Sequence, residues 1–546
     1  MSEPSHLLSA SGYGNSFSMN IFTRSQRMGT AALLLGTSIF LSRFMGLIRD
    51  KVISYYYGAG SEADIYLASF VAPDFINYLL AGGYFSITLI PLLARRFKES
   101  EDSGWKFFST VFWWICIASS VCITLAWFFA PSIARMTAPG FIQTPEHLER
   151  LTFFLRIVLP AQIFFLPGAC LTALLYWRRQ FTSPALMPLI YNGGIILGGL
   201  IMTYVAPERG MEGFCWGVVG GSFLGAFALP YMVARSGGLN LRLNLRDRGM
   251  LAFILMALPL MLGQSIAVLD EQFIRIFGSF AGVGSVALLA YARRFMFVPI
   301  GVVAQAAGAA SYPFLANLAA EGRKEEFAQT VNDVLGKALA VAVPLCAWMA
   351  AIAEPFIRLL FEQGRFTSTD TETCALLLAL MLPGVLFWVV HQLVSRSFYA
   401  HEDTLTPAVV GTTTTILFLP VYWALTEVMG APGVALAGIC GIGAYTTAMV
   451  KVWHLRKGKA AFSGLIPFTA KTVAVAVPPG LAAWLTSLAT ASLLPSTPYF
   501  GAALALMAAS VVFVALYLPL THWFAPHLLE PVTALLSKIG KKTTKT

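Results

Sequence analysis

Charge is what this 546-residue chain has least of: 12% of its residues are charged, against about 25% in a typical soluble protein. Apolar residues make up 57%. That balance excludes a soluble multidomain enzyme, a disordered chain and a nucleic-acid-binding protein. The net charge of +10 is no nucleic-acid signal, because the basic residues sit in short clusters between apolar runs, as in membrane topology signals. The seven cysteines include no CxxC pair and read as small packing residues. There is no P-loop, no GxSxG and no aspartate-rich pair to hold Mg²⁺. His401-Glu402-Asp403 lacks the second His at i+4 of a zinc protease. No catalytic residue, metal site or cofactor is expected. Residues 1–28 are polar and Ser-rich, without the order of a signal peptide.

A spanning helix takes roughly 20 apolar residues, so about fourteen fit the apolar content. The runs place spans near 30–50, 64–93, 108–130, 151–177, 184–205, 212–234, 250–278, 284–316, 333–353, 373–399, 406–427, 433–455, 468–490 and 499–521. One set of loops and tails carries 21 Arg and Lys, among them Arg95, Arg96, Arg178, Arg179, Lys457 and Lys541; the opposite set carries 5, namely Arg135, Arg150, Arg209, Arg358 and Arg365. The excess of positive charge marks the cytoplasmic side, which places both termini there.

The two halves resemble each other at an offset near 222 residues. Pro91-Leu92-Leu93-Ala94 ends the second span and Pro313-Phe314-Leu315-Ala316 the eighth; Tyr176 with Pro184-Ala185 is echoed by Tyr399 with Pro407-Ala408. Six spans per copy give parallel repeats, a transporter plan with the substrate site between the lobes. The expected fold is therefore an all-α polytopic membrane protein of about 14 transmembrane helices, in two pseudo-symmetric six-helix lobes plus two C-terminal helices. The segments are a polar tail (1–28), an N-lobe (29–245), a C-lobe (246–460), spans thirteen and fourteen (461–525) with apolar surface for a lipid tail, and a basic tail (526–546).

Charged side chains in a bilayer are costly and face a cavity or a partner. Here they are Arg43, Arg49 and Asp50 on span one, Asp64 and Asp74 on span two, Asp270, Glu271 and Arg275 on span seven, and Arg293 and Arg294 on span eight. Arg43 and Asp50 lie two turns apart on one helical face, with Gly46 between them. That pattern is either an anion-binding face or interfacial pairing. Arg293 and Arg294 point about 100° apart, so at most one faces a given site; pairing with Asp270 or Glu271 is the alternative. Bends are expected at Gly46, Pro73, Gly82, Gly83 and Pro299, with Gly301, Gly308 and Pro313 further along span eight. His391, isolated on span ten, reads as a packed, hydrogen-bonded side chain.

Ser42-Arg43-Phe44-Met45-Gly46-Leu47-Ile48-Arg49-Asp50, followed by Gly58-Ala59-Gly60 and Asp64, resembles the opening signature of the MurJ (MviN) lipid II flippases, of the multidrug/oligosaccharidyl-lipid/polysaccharide exporter superfamily. Phe181-Thr182-Ser183-Pro184-Ala185 with Pro188 and Asn192, Tyr291-Ala292-Arg293-Arg294 with Pro299, Phe361-Glu362-Gln363-Gly364-Arg365-Phe366, and Phe398-Tyr399-Ala400 with Asp403 and Thr406-Pro407 resemble further family signatures. The resemblance runs from about residue 30 to 455. It implies fourteen helices in two lobes and movement of undecaprenyl-diphosphate-linked disaccharide-pentapeptide from the cytoplasmic to the periplasmic leaflet by alternating access. It also implies a multi-pass protein of the bacterial inner membrane, with membrane lipids and other cell-wall synthesis proteins as partners. It places the family's essential arginines on Arg43, Arg49 and Arg294, with Asp50, Arg293 and Asn77 beside them in the substrate-binding set. The sequence departs from the family at Asn77-Tyr78 and Gly82, and at Phe297, where the helix-eight signature often has Glu.

A guanidinium binds phosphate oxygens bidentately, which suits a diphosphate headgroup. A flippase for another polyprenyl-linked oligosaccharide fits the same residues. A drug–cation antiporter needs a carboxylate-centred site and twelve spans; a membrane enzyme acting on polyprenyl diphosphates needs metal-binding carboxylates.

Overall fold

The computed structural model describes residues 22–81, 84–493 and 498–529. Their regular structure is helical, and no strand occurs among them. The hinge residues Gly82 and Gly83, and most of both tails, lie outside the described residues.

Eleven described helices are long and apolar enough to cross a membrane, or twelve if Ser368–Met381 and Gly384–Ala400, bent by 41° at their junction, form one span. Two expected spans do not meet that test. The run at 64–93 is broken into Ser61–Ala68, Val71–Ala81 and Tyr84–Glu99. Pro73 is buried in the first turn of the middle piece, where a missing N–H costs least. The run at 250–278 is one 30-residue helix, Gly249–Gly278, whose apolar described stretch is Gly249–Leu258. Pro299, also expected as a bend, is followed by a π-helical stretch at Ile300–Ala304.

The chain forms two compact units. The first comprises residues 1–49, 76–128 and 156–261; the second comprises 50–75, 129–155 and 262–546. The division falls inside the helix Met28–Tyr57, between Arg49 and Asp50.

In the first unit, a core of Leu89, Leu93, Phe107, Phe108, Leu171, Leu174 and Val233 joins Tyr84–Glu99, Glu101–Phe128, Gln162–Trp177 and Leu229–Ser236. Thr182–Val205 and Gly210–Gly221 meet through glycines. A Cβ on Gly194 would fall 2.7 Å from the Gly221 Cα, and one on Gly198 would fall 2.6 Å from the Gly213 oxygen. Small residues let backbones approach where both helices are apolar all round.

In the second unit, Leu465–Leu493 and Pro498–Phe524 pack on Lys324–Ala351 through Val343, Ala476, Ala483, Ala509 and Phe513. Trp348 Nε1 donates to Ser510 Oγ at 3.0 Å. The last two long helices are thus packed against the ninth expected span.

Candidate functional site

Within the first unit, the helix Met28–Tyr57 presents two arginines in different states. Arg43 is exposed and has no ion pair or hydrogen bond among the described residues. Arg49 is half-buried, and its Nη1 donates to Asn192 Oδ1 at 3.2 Å. Asn192 in turn donates from Nδ2 to the Pro188 carbonyl at 2.9 Å. Gly46 is buried between the two arginines, and Asn77 is half-buried on Val71–Ala81.

Within the second unit, Asp50 is nearly fully buried and pairs with Arg294 at 2.6 Å. This is not the pairing weighed from sequence for Arg294, which was with Asp270 or Glu271. Glu271 instead receives Arg275 Nη2 at 2.7 Å, while Arg275 Nη1 donates to Asp74 at 2.8 Å. Two ion pairs, Asp50–Arg294 and Asp74–Arg275, thus form across a separation of more than two hundred positions, which local periodicity cannot reveal. The Asp270 side chain lies outside the described residues. Arg293 sits over the Phe297 ring, 4.7 Å from its centroid, and Phe297 leans on Trp388 at 5.8 Å. A π face therefore meets the guanidinium at a position where the resemblance led one to expect a carboxylate.

Asp64 shows the tightest fit. Its buried carboxylate accepts the Gly284 N–H at 2.6 Å and the Ala287 N–H at 2.7 Å, at the start of the helix Ser285–Pro299. Those donors belong to a helix N-terminus, where N–H groups otherwise go unpaired and the dipole favours an anion. Gly284 is left-handed (φ +86°), and a Cβ there would fall 2.3 Å from the Ala59 oxygen. Nearby, the Arg365 N–H donates to the Tyr55 carbonyl at 2.9 Å. A Cβ on Gly364 (φ +64°) would fall 2.1 Å from that same oxygen. Gly140 N donates to Ser279 Oγ at 3.0 Å. Loops that the charge pattern puts on the side opposite the termini are therefore interlocked within this unit.

Sequence reasoning missed Arg396, on Gly384–Ala400. It is an Arg inside a helix with no acidic residue of its own. His391, on the same helix, is enclosed as expected, with Ser395 Oγ 3.3 Å from Nε2 and the Tyr445 ring 4.6 Å away. No cluster of three or more metal-ligating side chains occurs among the described residues.

Apolar helices long enough to span a bilayer, holding guanidinium and carboxylate groups among them, define a multi-pass membrane protein. Solved structures share its fold. A solved lipid II flippase MurJ in an inward closed conformation superposes with a TM-score of 0.76 at 22% identity, covering 91% of this chain and all of that one. A multidrug resistance MATE family transporter of the MOP superfamily, in an inward-facing conformation, gives 0.63 at 14% identity over 80% of this chain and 99% of the other. Among curated relatives, the probable lipid II flippase MurJ of Buchnera aphidicola subsp. Acyrthosiphon pisum is 27% identical over 67% of this chain and 72% of its own length. That of Haemophilus influenzae is 26% identical over 68% and 76%. The family model for lipid II flippase MurJ matches residues 53–516, and the chain belongs to that family.

Proposed function

We propose that this protein moves lipid II, the undecaprenyl-diphosphate-linked peptidoglycan precursor, from the cytoplasmic to the periplasmic leaflet of the bacterial inner membrane by alternating access, for cell-wall synthesis. Family membership supports the substrate class. The observation that carries the chemistry is Arg43: an exposed guanidinium within a span and without a protein partner among the described residues. A diphosphate supplies the anion that such a group lacks, in a bidentate geometry that lysine cannot match.

Arg49 adds a second cation on the same helix, held by Asn192. Arg294, paired with Asp50 at 2.6 Å, becomes available to phosphate when that pair opens. Arg293 and Asn77 complete the polar set. The interlocked loops around Asp64 and Gly284 are the barrier that must part for release on the far side, and Gly46, Pro73 and Pro299 are where the helices bend. The two lobes read from the sequence supply the moving bodies. Apolar surface on the last two long helices takes the prenyl chain, and cell-wall synthesis proteins act on the product.

The test is replacement of Arg43 with Ala in cells depleted of their own flippase. The expected result is loss of growth and accumulation of lipid II in the inner leaflet. Full rescue, or accumulation of a different polyprenyl-linked glycan in the depleted native host, overturns the reading.

A further inference from the structure

Arg396 lies four residues before the end of the helix Gly384–Ala400, roughly 6 Å inside it at about 1.5 Å per residue. Its Nη1 is closed off from solvent and has no hydrogen-bond partner among the described residues. Three other arginines within spans of this unit have neighbours of opposite charge or a ring: Asp50 for Arg294, Asp74 and Glu271 for Arg275, Phe297 for Arg293. Arg396 has none of these. The ionisable groups near enough to act on it are Tyr312 and Tyr399, and neither phenol hydroxyl is engaged by a described residue.

The guanidinium rests in a notch made by a missing side chain. A Cβ on Gly308, in the helix Gln305–Ala320, would fall 1.6 Å from Nη1 and 2.4 Å from Cζ of Arg396. The Gly308 carbonyl already accepts from Ser311 Oγ at 3.2 Å. The notch therefore gives the cation room without giving it an acceptor. Both tyrosines remain about two-fifths exposed, at 38% and 40%, so the group is reachable from outside the fold.

A lone guanidinium in a membrane helix is costly unless an anion meets it. We propose that Arg396, Tyr312 and Tyr399, seated by Gly308, form a binding station for the phosphate of a lipid headgroup. The guanidinium offers paired N–H donors to the phosphate oxygens, and each phenol offers one O–H. One turn inside the helix end is the depth at which headgroups lie, with the prenyl or acyl tail running along the apolar helices. The same chemistry belongs to a polyprenyl diphosphate and to an anionic phospholipid. The proposal does not depend on the roles of Arg43, Arg49 and Arg294.

The experiment uses the purified full chain and native mass spectrometry with three probes: undecaprenyl diphosphate, phosphatidylglycerol and undecaprenol. Arg396→Gln and Gly308→Ala are each expected to weaken binding of a phosphate-bearing probe at least tenfold, with undecaprenol unaffected and Arg396→Lys intermediate. Gly308→Ala displaces only the flexible end of Arg396 and keeps its charge, so it decides the matter even if Arg396→Gln folds poorly. A loss confined to undecaprenyl diphosphate places the station on the substrate's route; a loss confined to phosphatidylglycerol makes it a bilayer-lipid site. The transport reading is tested separately, by growth of depleted cells that carry Arg43→Ala. Unchanged binding of both phosphate probes in Arg396→Gln and Gly308→Ala overturns the proposal.

Discussion

The guanidinium of Arg294 is held 2.6 Å from the carboxylate of Asp50. The carboxylate is buried while the guanidinium remains 38% exposed. The pair is therefore asymmetric: Asp50 depends on Arg294 for compensation, whereas Arg294 can turn toward another anion. Breaking a buried pair from one side costs about 3–5 kcal/mol, and an incoming diphosphate must offset part of that.

Asp50→Asn is the direct probe of this exchange. It removes the competitor for Arg294 while keeping the side chain's size. Affinity for undecaprenyl diphosphate should rise severalfold, and transport should slow because release becomes harder. Arg294→Ala should lose both binding and stability, since Asp50 would be left charged and enclosed. Binding of purified variants, read beside their melting temperatures, separates the two; an Asp50→Asn variant with unchanged affinity removes Arg294 from the substrate path.

Asp64 should control opening of the interlocked end. Its two oxygens accept from the Gly284 and Ala287 N–H groups, and a buried donor left without its acceptor costs about 1–3 kcal/mol. Asp64→Ala removes both and leaves two buried donors unpaired. A cysteine at Val286, fully enclosed here, should then be labelled by a membrane-impermeant maleimide at least tenfold faster than in the parent, after replacement of the exposed native Cys440. Equal labelling would show that Asp64 does not hold this region shut.

How much of this was legible beforehand differs by type of residue. The spans and the basic-loop asymmetry follow from hydropathy and charge acting over a few turns, and among the described residues eleven or twelve of the expected spans are helices long and apolar enough to cross a membrane. The break-up of the second expected span goes further than the sequence suggested, because Pro73 lies at a helix start rather than inside one helix. The choice of Asp50 over Glu271 for Arg294 is a matter of which helices meet, and that is set by packing between positions more than two hundred residues apart. The notch at Gly308 was visible only as one more glycine. Its meaning comes from Arg396 on another helix.

Phe297 offers a test of what its ring does for Arg293. The guanidinium lies 4.7 Å from the ring centroid, an interaction worth about 0.5–2 kcal/mol. Phe297→Leu keeps the apolar volume and removes the π face, so the melting temperature should fall by a few degrees at most. Phe297→Glu should match or exceed the parent, because an ion pair replaces the ring. A larger loss for Glu than for Leu would mean that Phe297 serves packing against Trp388 and not Arg293.

The loop that joins Gly384–Ala400 to Leu405–Met429 carries a pH dependence of known sign. Burial would raise the Asp403 carboxyl, but bonds from the Thr406 hydroxyl and N–H, with Arg456 and Lys457 nearby, outweigh it and hold the group below its ordinary value. The Thr406 N–H lies at 2.9 Å, its hydroxyl at 2.7 Å and Arg456 Nη1 at 3.3 Å. A carboxyl depressed in the folded state binds protons more readily when unfolded, so its contribution is present above the ordinary carboxylate range and is lost as pH falls through the depressed value. Because the site is largely exposed, solvent screening keeps the effect small. Protection of the Thr406 amide, its exchange rate relative to an unstructured amide at the same pH, should therefore fall on acidification below about pH 4, while Asp403→Asn, which keeps an acceptor but no charge, should be less protected at neutral pH and lose that dependence. An acid-sensitive Thr406 amide in Asp403→Asn would assign the titration to another group.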